Sequence, residues 1–333
     1  MGKKNTRKNS KVGPDRGLVP EEVDKINKEF YDEYPIDYFN TKLHILTGMI
    51  SNPTEISTSF NNLKTIKVGV LELKPDENII EESELEKFSK LELSNTYYHC
   101  IETFLRLFLA HISLTQSPWL EMARERDFRK FKTILSSLAK EEFKFQNAEL
   151  SLDEMILYVF YGFKDVSHWE GSLTKSEAAG ILKKWISWSA AQLLEVYDYN
   201  AFKHGLVVSA GDNGFTLGRQ DDENKIEEKG QTLKYINKKE KPERWVWEKR
   251  VVFAPLDFRG FIIIMLTDLM RNLVKVGRFT YLQEEIGELV FYYNKDNIPT
   301  KHYEAVKTKN NFNVLVNGYS VELLYFKENN HHK

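Results

Sequence analysis

The chain has little of what would carry it out of the cell or hold it in a membrane. Its single cysteine, Cys100, lies in an apolar stretch, which is typical of a buried thiol in a reducing compartment. The N-terminus lacks the apolar segment of a secretory signal. The longest uncharged apolar run, 260–267, is much shorter than the ~20 residues of a spanning helix. These absences predict a soluble, cytoplasmic protein with no membrane partner.

The chain also lacks a strong overall charge. Its formal net charge is −2, which does not favour a general nucleic-acid binder. The charge is nevertheless uneven, because residues 3–16 contain one acid, Asp15, against six bases: Lys3, Lys4, Arg7, Lys8, Lys11 and Arg16. Residues 1–18 are therefore predicted to be a disordered, solvated leader, with an RNA or DNA tether as the alternative.

Metal-binding and phosphate-binding motifs are missing as well. The eight histidines are scattered and form no HExxH motif, and one cysteine cannot supply a paired-cysteine site. The glycine-rich run at 210–214 lies between predicted strands, and lacks the strand-to-helix setting of a nucleotide loop. The sequence therefore predicts neither a metal nor a cofactor.

Aromatic and aliphatic residues, by contrast, are abundant and follow helical spacing over the first two hundred residues. The chain contains 21 Phe and 16 Tyr, enough for a core packed by rings. Apolar residues recur at steps of three and four along 83–113, which predicts a long core helix. Further helices are predicted at 19–31, 38–50, 127–138, 151–161 and 174–204, with Ser151 and Thr174 as N-caps and Gly205 as the stop.

Beyond Gly205 the apolar pattern changes to a period of two, which is typical of strands. A hairpin is predicted between 206–209 and 215–218 around Asn213-Gly214, and a second between 312–316 and 319–326 around Asn317-Gly318. Strands are also predicted at 232–236 and 244–254, with a loop at 219–230 and a last helix at 258–276; 66–73 fits a strand or a loop. The fold class is therefore mainly α, with a helical bundle at 19–205 and a smaller, hairpin-containing α/β portion at 206–333.

The end of the 174–204 helix carries the strongest candidate for chemistry. Asn200 and His204 are four residues apart, so both address one face, with Lys203 beside them. Histidine exchanges a proton near neutral pH, and lysine stabilises developing negative charge. The alternative is that His204 and Lys203 are cations that complement a helix C-terminus. A second candidate pair, Glu102 and Arg106, either lines the interior opposite His204 or forms an i,i+4 salt bridge.

Two segments resemble the signature of the HEPN family, α-helical domains associated with nucleic acids. In its ribonucleases an arginine, usually followed by a polar residue, precedes a histidine by four to six positions. Arg106 and His111 have this spacing, but Leu107 stands at the polar position and the two side chains would point about 140° apart on a helix. At 199–204, Asn200 and His204 fit, and Tyr199 replaces the arginine.

The resemblance covers about residues 85–205 and implies a homodimer that binds or cuts RNA without metal. His204 would be the acid/base, and Asn200 would orient it or the phosphate. Lys203 or Arg106 would supply the missing positive charge. A defence or stress-response role suits such a relative. Because Tyr199 departs from the motif, a non-catalytic RNA-binding or scaffolding protein is the companion interpretation.

A basic and aromatic segment at 234–250 supports a separate binding hypothesis. Trp245 and Trp247 alternate with charged residues and precede Lys249 and Arg250, a combination that fits stacking on bases and pairing with phosphates. The alternative is a strand with its tryptophans on the core face and its charges outward. The rival to all RNA functions is a non-enzymatic interaction protein in which His204 is a helix cap.

Overall fold

The computed structural model describes residues 17–63, 65–73, 79–124, 128–162, 173–194, 208–212, 215–217, 226–228, 230–241, 244–292, 294–309 and 318–323. Within them the chain is mainly α-helical, with a small antiparallel sheet in its C-terminal portion, as the sequence predicts. The predicted leader at 1–18 lies almost entirely outside the described residues.

Three helices open the described part of the chain. They are α1 (Pro20–Glu33), α2 (Tyr38–Ser51) and α3 (Pro53–Asn61), and proline occupies the first turn of α1 and of α3. The segment that fits either a strand or a loop is a small hairpin, β1 (Ile66–Val68) and β2 (Leu71–Leu73), in which Gly69 has a φ of 60°. Such a positive φ favours glycine, so this residue sets the turn.

The predicted long core helix is confirmed as α4 (Glu82–Ile112). Its apolar positions are enclosed on several sides, and Ile101, Phe104 and Phe108 are fully buried. Cys100 is buried too, and burial raises the pKa of its thiol. Two shorter helices follow, α5 (Pro118–Arg124) and α6 (Phe128–Ala139).

The two predicted serine and threonine caps are both formed. Ser151 and Glu154 make a reciprocal capping box before α7 (Leu152–Tyr161), which ends at Gly162 with a φ of 75°. Before α8 (Lys175–Leu194), the Thr174 hydroxyl accepts the N–H of Glu177 at 3.3 Å, and that carboxylate accepts the N–H of Thr174. These bonds satisfy amides at the helix starts that have no partner within the helix.

The C-terminal strands form a four-stranded sheet in the order β3-β6-β7-β8, antiparallel throughout. Its strands are β3 (Val208–Gly211), β6 (Thr232–Lys241), β7 (Arg244–Phe253) and β8 (Gly318–Leu323). A separate ribbon pairs β4 (Phe215–Leu217) with β5 (Ile226–Glu228).

The predicted hairpin around Asn213-Gly214 is wrong in its pairing. β3 pairs with β6, not with β4, and β4 pairs with β5, which lies inside the segment predicted as a loop. An Asn-Gly dipeptide signals only a local turn. The partner of β3 follows from burial, because Val208 lies opposite Tyr235 and both are buried. The second predicted hairpin includes residues 310–317, outside the described part, and β8 pairs with β7.

The last long helix, α9 (Leu256–Leu282), occupies the middle of the helical body. It packs along α4, and its residues Ile262, Ile263 and Leu266 are fully buried. The final helix, α10 (Pro299–Lys309), contacts both α9 and α8. The proposed division at 205/206 stays a prediction, since residues 195–207 are outside the described part. The helix at 256–282 is nevertheless built into the core that α4 organises.

Candidate functional sites

The predicted acid/base group lies outside the described residues. The description of α8 ends at Leu194 and the chain is described again from Val208. Asn200, Lys203 and His204, together with Tyr199 and the Gly205 stop, fall between them. Their roles stay predictions from the sequence.

Glu102 and Arg106 are described, and they bind each other. Nε and Nη2 of Arg106 each lie 2.9 Å from Oε1 of Glu102. The side chain of Glu102 is 14% exposed and that of Arg106 is 22% exposed. The guanidinium also lies over the ring of Phe131 on α6, at 4.1 Å from its centroid. These contacts are those expected if Glu102 and Arg106 form an i,i+4 salt bridge. The additional cation–π contact links α4 to α6. A catalytic role for the pair stays a prediction.

His111, five residues further along α4, faces a different environment. Its ring is buried, and Nδ1 donates to the carbonyl oxygen of Leu107 at 2.8 Å. Nε2 therefore accepts from the hydroxyl of Tyr31, at 2.9 Å. Burial lowers the pKa of His111 to about 4, so the ring is neutral at pH 7. Arg106 and His111 do not form a joint site, in agreement with their predicted angular separation.

The outward face of the sheet carries part of the predicted binding segment. Residues directly opposite each other in an antiparallel sheet share a face. Trp247 on β7 lies between Lys238 on β6 and Leu323 on β8, and in the next row Lys249 lies between Ile236 and Val321. Lys238 and Lys249 are exposed, Trp247 is half-buried, and Ile236 and Val321 are 57% and 50% exposed. A tryptophan, two lysines and three aliphatic residues therefore share one surface, which we call the outer sheet face.

Arg250 is on the opposite side of the sheet. It pairs in register with Tyr235, and its guanidinium lies 6.0 Å from the centroid of that ring. Tyr235 and Leu233 on this side are buried against the helices. The predicted set of four is thus divided: Trp247 and Lys249 belong to the outer sheet face and Arg250 does not. Strand alternation assigns the backbone position of Trp245 to the outer side as well.

A cavity that no sequence motif indicates lies where α4, α8, α9 and α10 meet the end of β7. Its volume is about 280 Å³, and rings supply much of its wall: Tyr97, Tyr98, Trp188, Phe258 and Tyr303. Arg259, in the first turn of α9, is 5% exposed and lines this cavity. The sequence signal for this cavity is one arginine in the mainly apolar segment 256–266. The aromatic residues that line the cavity with it come from distant segments, so the sequence does not group them.

A larger cavity of about 800 Å³ lies between α2, α4 and the start of α9, with mainly apolar walls. Its two carboxylates are engaged within the protein. Asp212 binds Lys90 at 3.0 Å, and Asp257 accepts the N–H of Phe258 at 2.8 Å. Both carboxylates among the described lining residues therefore have a partner within the protein, and most of the exposed wall is apolar.

Two broader features bear on function. In the described part of the chain, no three His, Cys, Asp or Glu side chains are grouped as metal ligands. None of the helices described above combines the length and the apolar character needed to cross a bilayer. No protein-family model, no curated protein and no solved structure matches the chain.

Proposed function

We propose that this protein binds single-stranded RNA on the outer sheet face. The observation that carries the proposal is the row of Lys238, Trp247 and Leu323 across three strands, beside a second row centred on Lys249. Opposite residues in such rows have Cβ atoms about 5 Å apart, so the lysines lie next to the indole. Bases stack on aromatic rings while lysines pair with the adjacent phosphates.

Exposed apolar side chains support a binding role for this face. Ile236, Val321 and Leu323 surround the lysine and tryptophan and are at least one-third exposed. Aliphatic and aromatic groups that remain in contact with water on a sheet are typical of a surface that a partner covers. Toward the other end of the face Val251 is buried, so the proposed platform is confined to the two rows described above.

The ribonuclease chemistry implied by the HEPN resemblance is part of the same proposal. His204 would act as acid/base with Asn200 orienting it, Lys203 would supply positive charge, and two copies of the chain would form a cytoplasmic dimer. Strand cleavage by an adjacent ribose hydroxyl needs proton transfer and stabilisation of charge, which these residue types provide. RNA binding on the sheet would deliver the substrate.

Binding is tested by fluorescence anisotropy with a labelled oligouridine at several salt concentrations. Trp247→Ala should weaken binding by about tenfold, because base–aromatic stacking contributes about 1–3 kcal/mol. Trp119→Ala is the matched control, since Trp119 is 40% exposed on α5, a helix that packs against α1 and α4. Equal RNA binding by the parent and Trp247→Ala would refute the proposal that RNA binds on the outer sheet face.

Cleavage is tested separately with total RNA in the presence of a chelator. The parent should cut and His204→Ala should not, while both retain RNA binding. A parent that binds without cutting would be the non-catalytic version. A parent that neither binds nor cuts would favour the rival, a protein-interaction role.

A further inference from the structure

The guanidinium of Arg259 is a buried charge with an incomplete set of partners. Its Nη1 is enclosed and has no hydrogen-bond partner within the described part of the chain. Among the described residues it makes two cation–π contacts, at 5.0 Å from the centroid of Tyr97 and 5.4 Å from that of Tyr98. A charged donor removed from water without an acceptor is unfavourable, so the position favours a ligand that supplies one.

The surroundings of Arg259 add to the preference for an anion. Arg259 is in the first turn of α9, where the helix dipole is positive and cations are disfavoured. Among the described residues that line the cavity there is no aspartate or glutamate. The one acid of this turn, Asp257, lines the larger cavity instead. The charge of Arg259 and the positive end of the helix dipole therefore both favour an anion at this position.

A second donor is directed by a hydrogen bond. The Tyr97 hydroxyl donates to Oε1 of Gln192 at 3.1 Å, so the amide oxygen is used as an acceptor and the amide nitrogen of this cavity-lining residue is the remaining donor group. One guanidinium and one amide match a carboxylate, which carries one charge and two acceptor oxygens. The ring-lined walls match a flat apolar body, and about 280 Å³ suits a small molecule.

We propose that this cavity binds a small planar compound bearing one carboxylate, with the carboxylate on Arg259 and the ring against Tyr98, Trp188 and Phe258. The inference is independent of RNA binding, because none of these residues belongs to the outer sheet face. It is also independent of His204 chemistry, since the ligand need not react.

The test is titration calorimetry with two carboxylates, benzoate and indole-3-carboxylate, and their uncharged amides, benzamide and indole-3-carboxamide. The parent should bind at least one carboxylate, about tenfold or more tightly than its amide. Arg259→Gln should weaken that carboxylate by about tenfold or more. Arg124→Gln, which removes an exposed arginine from α5, should not. Failure of both carboxylates to bind the parent, or equal binding by Arg259→Gln, would overturn the proposal.

Gln192→Glu keeps the proposal testable if Arg259→Gln does not fold. The new carboxylate would retain an acceptor for Tyr97 and would compete with the ligand for Arg259. We expect it to raise the melting temperature and to weaken carboxylate binding by about tenfold or more. Near-native circular dichroism with unchanged carboxylate affinity would show that the ligand does not bind at Arg259 and would refute the site.

Discussion

The hydroxyl of Tyr31 on α1 donates to Nε2 of His111 on α4, across 2.9 Å of buried space. The donor direction follows from the other ring nitrogen, which is occupied by the Leu107 carbonyl oxygen. The bond therefore requires a neutral imidazole. Because Tyr281 on α9 lies against both rings, three helices depend on this protonation state.

Acidification is expected to weaken the fold through His111. Its pKa is lowered from 6.5 to about 4, so between these values the unfolded chain binds a proton that the folded chain does not. Stability is fully present above about pH 6.5 and falls as the pH drops toward 4, by about 3 kcal/mol in total. Urea unfolding at a series of pH values measures this dependence.

His111→Gln should flatten that dependence, because glutamine does not titrate. The control is His44→Gln, which changes an exposed histidine on α2 and leaves His111 in place. Subtracting the curves of the two variants removes the contribution of the carboxylates that both proteins share. Parallel curves between pH 4 and 6.5 would contradict the assignment to His111.

A methyl group at Gly277 is expected to disrupt the same junction. A Cβ built there would lie 2.2 Å from the Tyr31 hydroxyl oxygen and 2.6 Å from two ring carbons. Tyr31 is buried and bonded to His111, so the ring cannot move away without losing that bond. Gly277→Ala should destabilise the protein by about 1–3 kcal/mol, measured by chemical denaturation.

Gly180→Ala on α8 is expected to stabilise the protein, in contrast to Gly277→Ala. A Cβ at Gly180 meets nothing within 4 Å, so only helix propensity changes and stability should rise by up to about 1 kcal/mol. If both alanine variants were stabilised, the close packing at Gly277 would be disproved.

Arg106→Ala distinguishes a structural from a catalytic role for the predicted pair. The substitution removes the stacking on Phe131 and leaves Glu102, 14% exposed, without this cation. We expect a loss of about 1–3 kcal/mol in unfolding free energy and unchanged RNA cleavage per folded molecule. Arg124→Ala, at a side chain that is 72% exposed, should change stability by less than about 0.5 kcal/mol. Unchanged stability of Arg106→Ala with lost cleavage would favour the catalytic role.

Adjacent residues on β7 allow a sharp test of the outer sheet face. Lys249 and Arg250 carry the same charge but belong to opposite sides of the sheet. Lys249→Gln should therefore weaken RNA binding and reduce the slope of log affinity against log salt by about 0.7. Arg250→Gln should leave both quantities unchanged. If the two variants changed RNA affinity and its salt dependence equally, RNA would not bind preferentially to the outer sheet face, and the proposal would be wrong.

Local signals in the sequence predicted most of the helices, but they could not predict what meets across the fold. Ser151 and Thr174 were identifiable because a cap acts within four residues. The pairing of β3 with β6 depends on Val208 meeting Tyr235, which no dipeptide encodes. Arg259 becomes notable only when Tyr97, Trp188 and Tyr303 surround it, and these come from three other helices. The sequence therefore shows which side chains could carry chemistry, but it does not show which distant side chains meet in the folded protein.

The position of α9 also has a consequence for synthesis on the ribosome. α4 is translated long before α9, yet α9 covers much of its apolar surface. A nascent chain that stops short of residue 282 must hold that surface in contact with water or with a chaperone. We expect the helical core to consolidate only after residue 282 has emerged from the ribosome, through contacts of high sequence separation that slow folding.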